Sequence, residues 1–191
     1  MTLARSMKSL MEGNSVIRKM FELGQEMAEK YGKEQVYDFS LGNPVASVPY
    51  EVKNAIISLL ENQDPHEIHG YMKNAGFPDV RKQVAEHLEK RFGLAYSAEN
   101  ILMCNGAAGG LNILMRCLLD EEDEVLCFAP YFTEYKAYVS HYKAKLTVVP
   151  MRKDDFSLNL DMAEQMIKRR TKAVILNNPN NPSGIIYSEE D

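Results

Sequence analysis

The sequence is short of most features that would assign it quickly. It has 191 residues and three cysteines, Cys104, Cys117 and Cys127, with no CxxC pair among them. Each sits in an apolar context, which reads as a reduced core thiol of a cytoplasmic protein and not as a disulfide framework. No apolar run approaches the ~20 residues that a membrane-spanning helix needs. The N-terminal MTLARSMKSLMEGNSVIRKM holds no continuous apolar stretch, so no signal peptide is expected. Lysine and arginine total 22 against 27 acids, a formal charge of −5, and no basic stripe offers nucleic acid a footprint. HEIHG, His66 to Gly70, spaces its histidines three apart where the zinc-protease helix needs four, which argues against a metal there. Internal repeats, low-complexity segments and linkers are also missing.

What the chain does have is alternation. Apolar residues recur with a helical period from Asn14 to Gly32, with Asn14 or Ser15 as cap and Gly32 as stop. VYDFSLGNPVASVP reads as a short extended stretch and a loop. Pro49 then opens a second helix carrying Val52, Ala55, Ile56, Leu59 and Leu60. FPDVRKQVAEHLEKRFG is a third, with Val80, Val84, Ala85, Leu88 and Phe92 on its apolar face and Gly93 closing it. Beyond it, short apolar runs at Ile101–Cys104, Glu124–Phe128, Leu146–Val149 and Ala173–Leu176 predict strands. Helical patterns lie between them in AGGLNILMRCLL, YFTEYKAYVSHY and LDMAEQMIKRR. Strand and helix in turn predict an α/β fold with a mostly parallel sheet flanked by helices. DEEDE, Asp120 to Glu124, reads as a solvated turn, and IKRR, Ile167 to Arg170, as cations facing a helix C-terminus. Eleven methionines fall on expected core faces. Ser188, with Glu189, Glu190 and Asp191 after it, fits a capping box whose helix does not follow. A longer protein, of which this is the N-terminal part, is therefore expected.

In open parallel sheets ligands bind outside the carboxyl ends of the strands. Three segments there are unusual. CNGAAGGLN, Cys104 to Asn112, puts glycines at a helix opening, where backbone N–H groups and the helix dipole favour an anion. It matches neither the P-loop nor the GxGxxG fingerprint, and close helix–strand packing explains its glycines equally well. FAPYFTEY, Phe128 to Tyr135, brings Tyr131 and Phe132 to the rim, as a stacking platform or as core. LNNPNNPSG, Leu176 to Gly184, spends asparagines and prolines on one turn; such a turn can hold an amide in a fixed direction or serve only as a stiff connection. Together the three suit a planar aromatic molecule that carries a phosphate.

LGNP, GYMKNAGFPDVRKQVAEHL, NGAAGGLN, DEEDEVLCFAPYFTEY and NNPNNPSG, in this order, resemble the fold-type I, pyridoxal-phosphate-dependent aminotransferases of class I/II, the aspartate aminotransferase-like group. The resemblance covers about Tyr37 to Gly184. It implies that residues 1–45 belong to a small domain and 46–191 to the first half of a cofactor-binding large domain. It further implies that Asn105, Gly106 and Ala107 supply N–H groups to the cofactor phosphate. Phe132 would stack on the pyridine ring, where many relatives carry tryptophan, a residue this chain lacks entirely. Asn181 would hydrogen-bond the phenolic oxygen, Gly42 would lie near the substrate carboxylate, and Tyr71 would reach the phosphate of a neighbouring subunit in a homodimer. The prolines of the last turn would then serve to aim an asparagine.

The family's remaining machinery would lie beyond Asp191: an aspartate on the pyridine nitrogen, a tyrosine, the covalently anchoring lysine and a carboxylate-binding arginine. The implied activity, transamination between an amino acid and a 2-oxo acid, thus belongs to a parent protein, and this chain alone is expected to be inactive. Three other readings compete. A C–S β-lyase shares the fold and cofactor and would release pyruvate and ammonia. A nucleotide-dependent oxidoreductase needs a glycine fingerprint after the first strand, which is absent. A non-catalytic cofactor-binding module of a regulator is the third. The amino-acid substrate stays open among aspartate, alanine and aromatic residues.

Overall fold

A computed structural model describes residues 16–40, 42, 44, 46–153 and 155–190. It divides into two units, Met1–Tyr71 and Met72–Asp191.

In the first unit the expected opening helix is α1, Val16–Tyr31. Its proposed caps, Asn14 and Ser15, lie outside the described residues. Gly32 ends it at a φ of 93°, a value that side chains resist. A Cβ on Gly24 would sit 3.0 Å from Asp38 Oδ2, so the extended residues beyond Gln35 run close to the helix there. Helix α2, Tyr50–Asn62, starts directly after Pro49 as expected. Its apolar side chains Val52, Ile56, Leu59 and Leu60 are exposed, contrary to a core face: helical spacing makes a stripe without deciding what covers it. The short α3, Pro65–His69, is capped by Asp64, whose side chain accepts from His66 N–H at 2.8 Å.

The second unit holds the sheet. Helix α4, Pro78–Phe92, begins with proline at its first turn and ends at Gly93, φ 69°. Helix α5, Gly106–Leu118, leads through the acidic turn into β1, Glu124–Ala129. Then come α6, Glu134–Ser140, β2, Lys145–Pro150, α7, Leu160–Met166, and β3, Thr171–Ile175. The order in the sheet is β2-β1-β3, and both pairings are parallel, as the alternation predicted. Central β1 is buried on both faces, which is why VLCF reads as a continuous apolar run. Leu126 and Phe128 pack with Val149, Met151 and Leu158 on one side. Val125 packs with Met115 and Leu119 of the α5 segment and Val139 of α6 on the other.

Four local expectations are corrected. Ile101–Cys104 is not a strand, because no ladder partner lies beside it among the described residues. Its amides go elsewhere, Ile101 N–H to Ala98 O at 3.2 Å and Met103 N–H to Ala75 O at 3.0 Å. Of the cysteines only Cys127, central in β1, is core; Cys104 and Cys117 are exposed. Several methionines, among them Met20, Met72 and Met103, are exposed as well. The DEEDE turn is no merely solvated loop, whereas IKRR does stand at a helix end, since α7 stops at Met166 with Ile167 as its C-cap. The two charge runs meet each other: Lys168 Nζ lies 3.8 Å from Glu124 and Arg170 pairs with Glu122. No helix among the described residues is long and apolar enough to cross a membrane, and none of their side chains form a metal-ligand cluster.

Candidate active site

Leaving β1, the chain passes through Pro130 to Tyr131 and Phe132; leaving β3, it enters Leu176–Gly184. The Ala129–Pro130, Asn178–Pro179 and Asn181–Pro182 peptide bonds of these two turns are cis. One side chain joins the turns. Asn180, 6% exposed, donates its amide N–H groups to Pro130 O at 3.1 Å and to Ser183 Oγ at 2.7 Å. Its backbone is fixed too, donating to Ile185 O at 2.8 Å and accepting from Gly184 N–H at 2.7 Å. A second asparagine, Asn178, accepts from Tyr187 N–H at 3.1 Å and ties the turn to the chain that follows it. Asn181, directly after these anchors, is exposed. The asparagines thus divide the labour: two hold the turn and one is presented.

Phe132 is 36% exposed, and its inner edge meets Tyr135 edge-to-face at 5.7 Å between ring centroids. Tyr131 stacks nearly parallel on the same Tyr135 at 6.4 Å. Burial pushes the Tyr135 phenol above its ordinary value, with the neighbouring Cys127 and Tyr138 adding to the effect. Burial likewise pushes the Cys127 thiol up to about 11, so both groups stay neutral under the rim. The platform is therefore one exposed aromatic face on a buried, uncharged aromatic base. A cavity of about 440 Å³ opens beside the junction, between Pro130, Phe156, Ser183, Gly184 and Ile185.

The third element is the start of α5. Asn105 precedes it without a side-chain capping bond, and its first turn holds no acid, so the helix does not answer its own positive end. Gly106 has φ 68°, and a Cβ there would meet nothing within 4 Å: the position needs glycine for its backbone and leaves open space beyond it. Gly106 N–H donates to Cys104 O at 3.0 Å, whereas the Asn105 and Ala107 amides meet no such partner among the described residues. Gly110 answers to the other reading of the motif, close packing, since its Cβ would lie 3.0 Å from Cys104 Sγ. One motif serves both purposes at different glycines. An uncapped helix start, an exposed ring on an aromatic base and an exposed amide beside an anchored one are a donor set that fits a phosphorylated planar aromatic group.

The structure joins Phe132 and Asn181 through Asn180; no hydrogen bond, ion pair or ring contact among the described residues joins either to Asn105–Ala107. Gly42 and Tyr71 belong to the first unit; Gly42 is exposed with open space around it, and Tyr71 is fully exposed. Sequence reading missed Asn180, because four asparagines in one turn do not announce which faces inward.

Comparison with known proteins gives the family. Residues 34–191 match the family described as aminotransferase class I and II. A probable aspartate/prephenate aminotransferase of Aquifex aeolicus is 33% identical over 157 residues, 82% of this chain and 39% of its own length. The crystal structure of an amino transferase from Eubacterium rectale superposes with a TM-score of 0.93 at 41% identity, over 100% of this chain and 48% of that one. A double mutant of Thermus thermophilus aspartate aminotransferase superposes with a TM-score of 0.84 at 26% identity, again over 100% of this chain and 48% of the other. This chain therefore spans less than half the length of each of these relatives. Enzymes of this class use pyridoxal phosphate as a general family property. The chain belongs to the class I and II aminotransferases.

Proposed function

We propose that the protein carrying this chain exchanges an amino group between an amino acid and a 2-oxo acid with pyridoxal phosphate, in the cytoplasm and as a homodimer. When bound, that cofactor supplies an electron sink for bond breaking at the amino-acid α-carbon. This chain's share is to bind and orient it. The amides of Asn105, Gly106 and Ala107 hold its phosphate, the Asn105 and Ala107 N–H groups taking the larger part. Phe132 covers one face of the ring and excludes water from it. Asn181 donates to the phenolic oxygen and favours its deprotonated form. Gly42, lacking a side chain, leaves room for the substrate carboxylate, and Tyr71 reaches a neighbouring subunit's phosphate site. In domain terms, residues 1–45 go with a small domain and 46–191 with the first half of the large one.

The observation that carries this reading is the Asn180 junction, which ties the turn bearing Phe132 to the turn bearing Asn181 at the carboxyl ends of β1 and β3. The test is an assay of the intact protein with aspartate, alanine and phenylalanine as donors and 2-oxoglutarate as acceptor. Formation of the donor's oxo acid without ammonia is expected. Release of ammonia and pyruvate from a cysteine derivative in place of exchange assigns the elimination reaction instead, and no exchange with any donor overturns the proposal.

A further inference from the structure

We infer that Arg81 is a positioning residue for the anion-binding amides of Asn105–Ala107, acting through the Ile101–Cys104 segment; this rests on the cofactor-phosphate reading of those amides.

Arg81 lies on α4 and is only 8% exposed. A buried guanidinium keeps its charge and needs acceptors for its donors. Its acceptors are main-chain groups: Nε donates to Ile101 O at 2.8 Å and Nη2 donates to Ala98 O. Glu99 stands 4.0 Å away with its side chain 90% exposed, so its carboxylate keeps its water and gives little. The guanidinium therefore spends its hydrogen bonds on holding a stretch of backbone.

That stretch has little else to hold it. Ile101–Cys104 joins no sheet among the described residues, and it leads directly into Asn105. Besides the local bonds of Ile101 to Ala98 and of Cys104 to Gly106, its other attachments come from the residues just before α4. Ala75 O accepts from Met103 N–H at 3.0 Å. Gly76, at φ 100°, lies so close that a Cβ on it would fall 2.6 Å from Met103 Cγ. Arg81 fixes the start of the segment and the Ala75–Gly76 corner fixes its end. Asn105 comes four residues after Ile101, at most about 14 Å of extended chain. An amide cradle works only if its N–H groups stay within about 0.5 Å of the productive geometry. A slip at Ile101 O is thereby passed to the cradle.

The experiment measures phosphate recognition apart from stability and turnover. The cofactor-free intact protein is titrated with pyridoxal 5′-phosphate and with pyridoxal, which differs by lacking the phosphate, and the ratio of the two affinities is taken by absorbance. Arg81→Met keeps the buried volume and removes the donors; its ratio is expected to fall about tenfold or more, in the range that orienting partners of bound groups commonly command. Arg81→Lys, which retains one cation and one reach, is expected to recover part of it. Gly76→Ala disturbs the segment from its other end and lowers the ratio too. Ala107→Pro is the control for the cradle: proline is tolerated in a first helical turn and deletes one N–H. If Ala107→Pro leaves the ratio unchanged, the cradle reading fails and takes the inference with it. If Ala107→Pro lowers it and a folded Arg81→Met does not, the role of Arg81 alone is overturned. Should Arg81→Met fail to fold by thermal melting, Arg81→Lys and Gly76→Ala decide, and an unchanged ratio in both overturns it.

Discussion

The two ends of β1 are finished in opposite ways. At its start every acid from Glu121 to Glu124 faces a base. Lys143 meets Glu121 at 3.0 Å, Arg170 pairs with Glu122, Lys172 stands 4.0 Å from Asp123 and Lys168 3.8 Å from Glu124. Thr147 adds a hydroxyl to Glu124 at 3.0 Å. At the other end no charged side chain occurs from Ala129 to Thr133 or from Leu176 to Gly184. That rim is held by amides, rings and prolines. The difference shows how one sheet can be closed at one edge and receptive at the other. Charges matched within the protein cannot be offered to a ligand, whereas a rigid neutral rim leaves the ligand's own charge to decide what binds.

The largest expected effect tests whether the rim is rigid for the reason given. Asn180→Ala strands the half-buried Pro130 O and takes a partner from the exposed Ser183 Oγ; it should destabilise the protein by about 2–4 kcal/mol, the cost of two lost hydrogen bonds and one stranded acceptor. Its exposed neighbour is the contrast: Asn181→Ala should stay within about 0.5 kcal/mol in stability while weakening cofactor binding. Urea unfolding of both variants makes the comparison. Equal losses in the two would mean that the division between anchoring and presented asparagines is wrong.

Next in size is an alkaline effect at the middle of β1, between the two ends. The folded Cys127 thiol sits near 11 against an ordinary 9.0, because burial disfavours the thiolate. Below pH 9 the thiol is protonated in both folded and unfolded chains, and its contribution is fully present. Between pH 9 and 11 only the unfolded chain releases the proton, so stability falls across that window, by roughly 2–3 kcal/mol at about 1.4 per pH unit. Tyr135 is raised by burial and adds a loss of the same sign at higher pH. Denaturant melts at pH 8, 9, 10 and 11 should follow this course, and Cys127→Ala should flatten its lower part. A wild-type stability that holds level to pH 11 would show the thiol to be less enclosed than the packing around it indicates.

Much of this fold was legible because period and punctuation agreed. Pro49, Pro78, Gly32 and Gly93 bound their helices where the sequence placed them, and the runs in β1, β2 and β3 alternate with helices as a parallel sheet requires. Ile101–Cys104 misled because an apolar run states a preference, while a strand needs a neighbour to bond with. The paired charges of the two runs were invisible for a related reason. Glu122 and Arg170 are 48 residues apart, and only the parallel pairing of β1 with β3 brings them together. In the site, glycine and proline disclosed where the turns were special. Which asparagine points inward depends on a carbonyl 50 residues away, Pro130 O, and no local pattern encodes that. Arg81 was nearer to legible: it falls three, four and seven residues before Val84, Ala85 and Leu88, on the stripe that should be apolar.

The smallest effects belong to the charged edge, and they are graded by exposure. The Glu121–Lys143 pair has both side chains more than 60% exposed, so water already solvates each ion and the pair adds little. Lys143→Met should change stability by less than about 0.5 kcal/mol, with no further change in 1 M salt. Asp123 differs: its side chain is 10% exposed, and besides Lys172 it accepts from Asp120 N–H at 2.9 Å. Removing its cation leaves a carboxylate with little water to replace it. Lys172→Met should therefore cost about 1 kcal/mol, more than Lys143→Met although the Lys172 pair is the longer of the two. If Lys143→Met proves the more costly variant, distance and not enclosure ranks the pairs. The charged edge would then be an ordinary solvated surface, and its contrast with the rim would rest on composition alone.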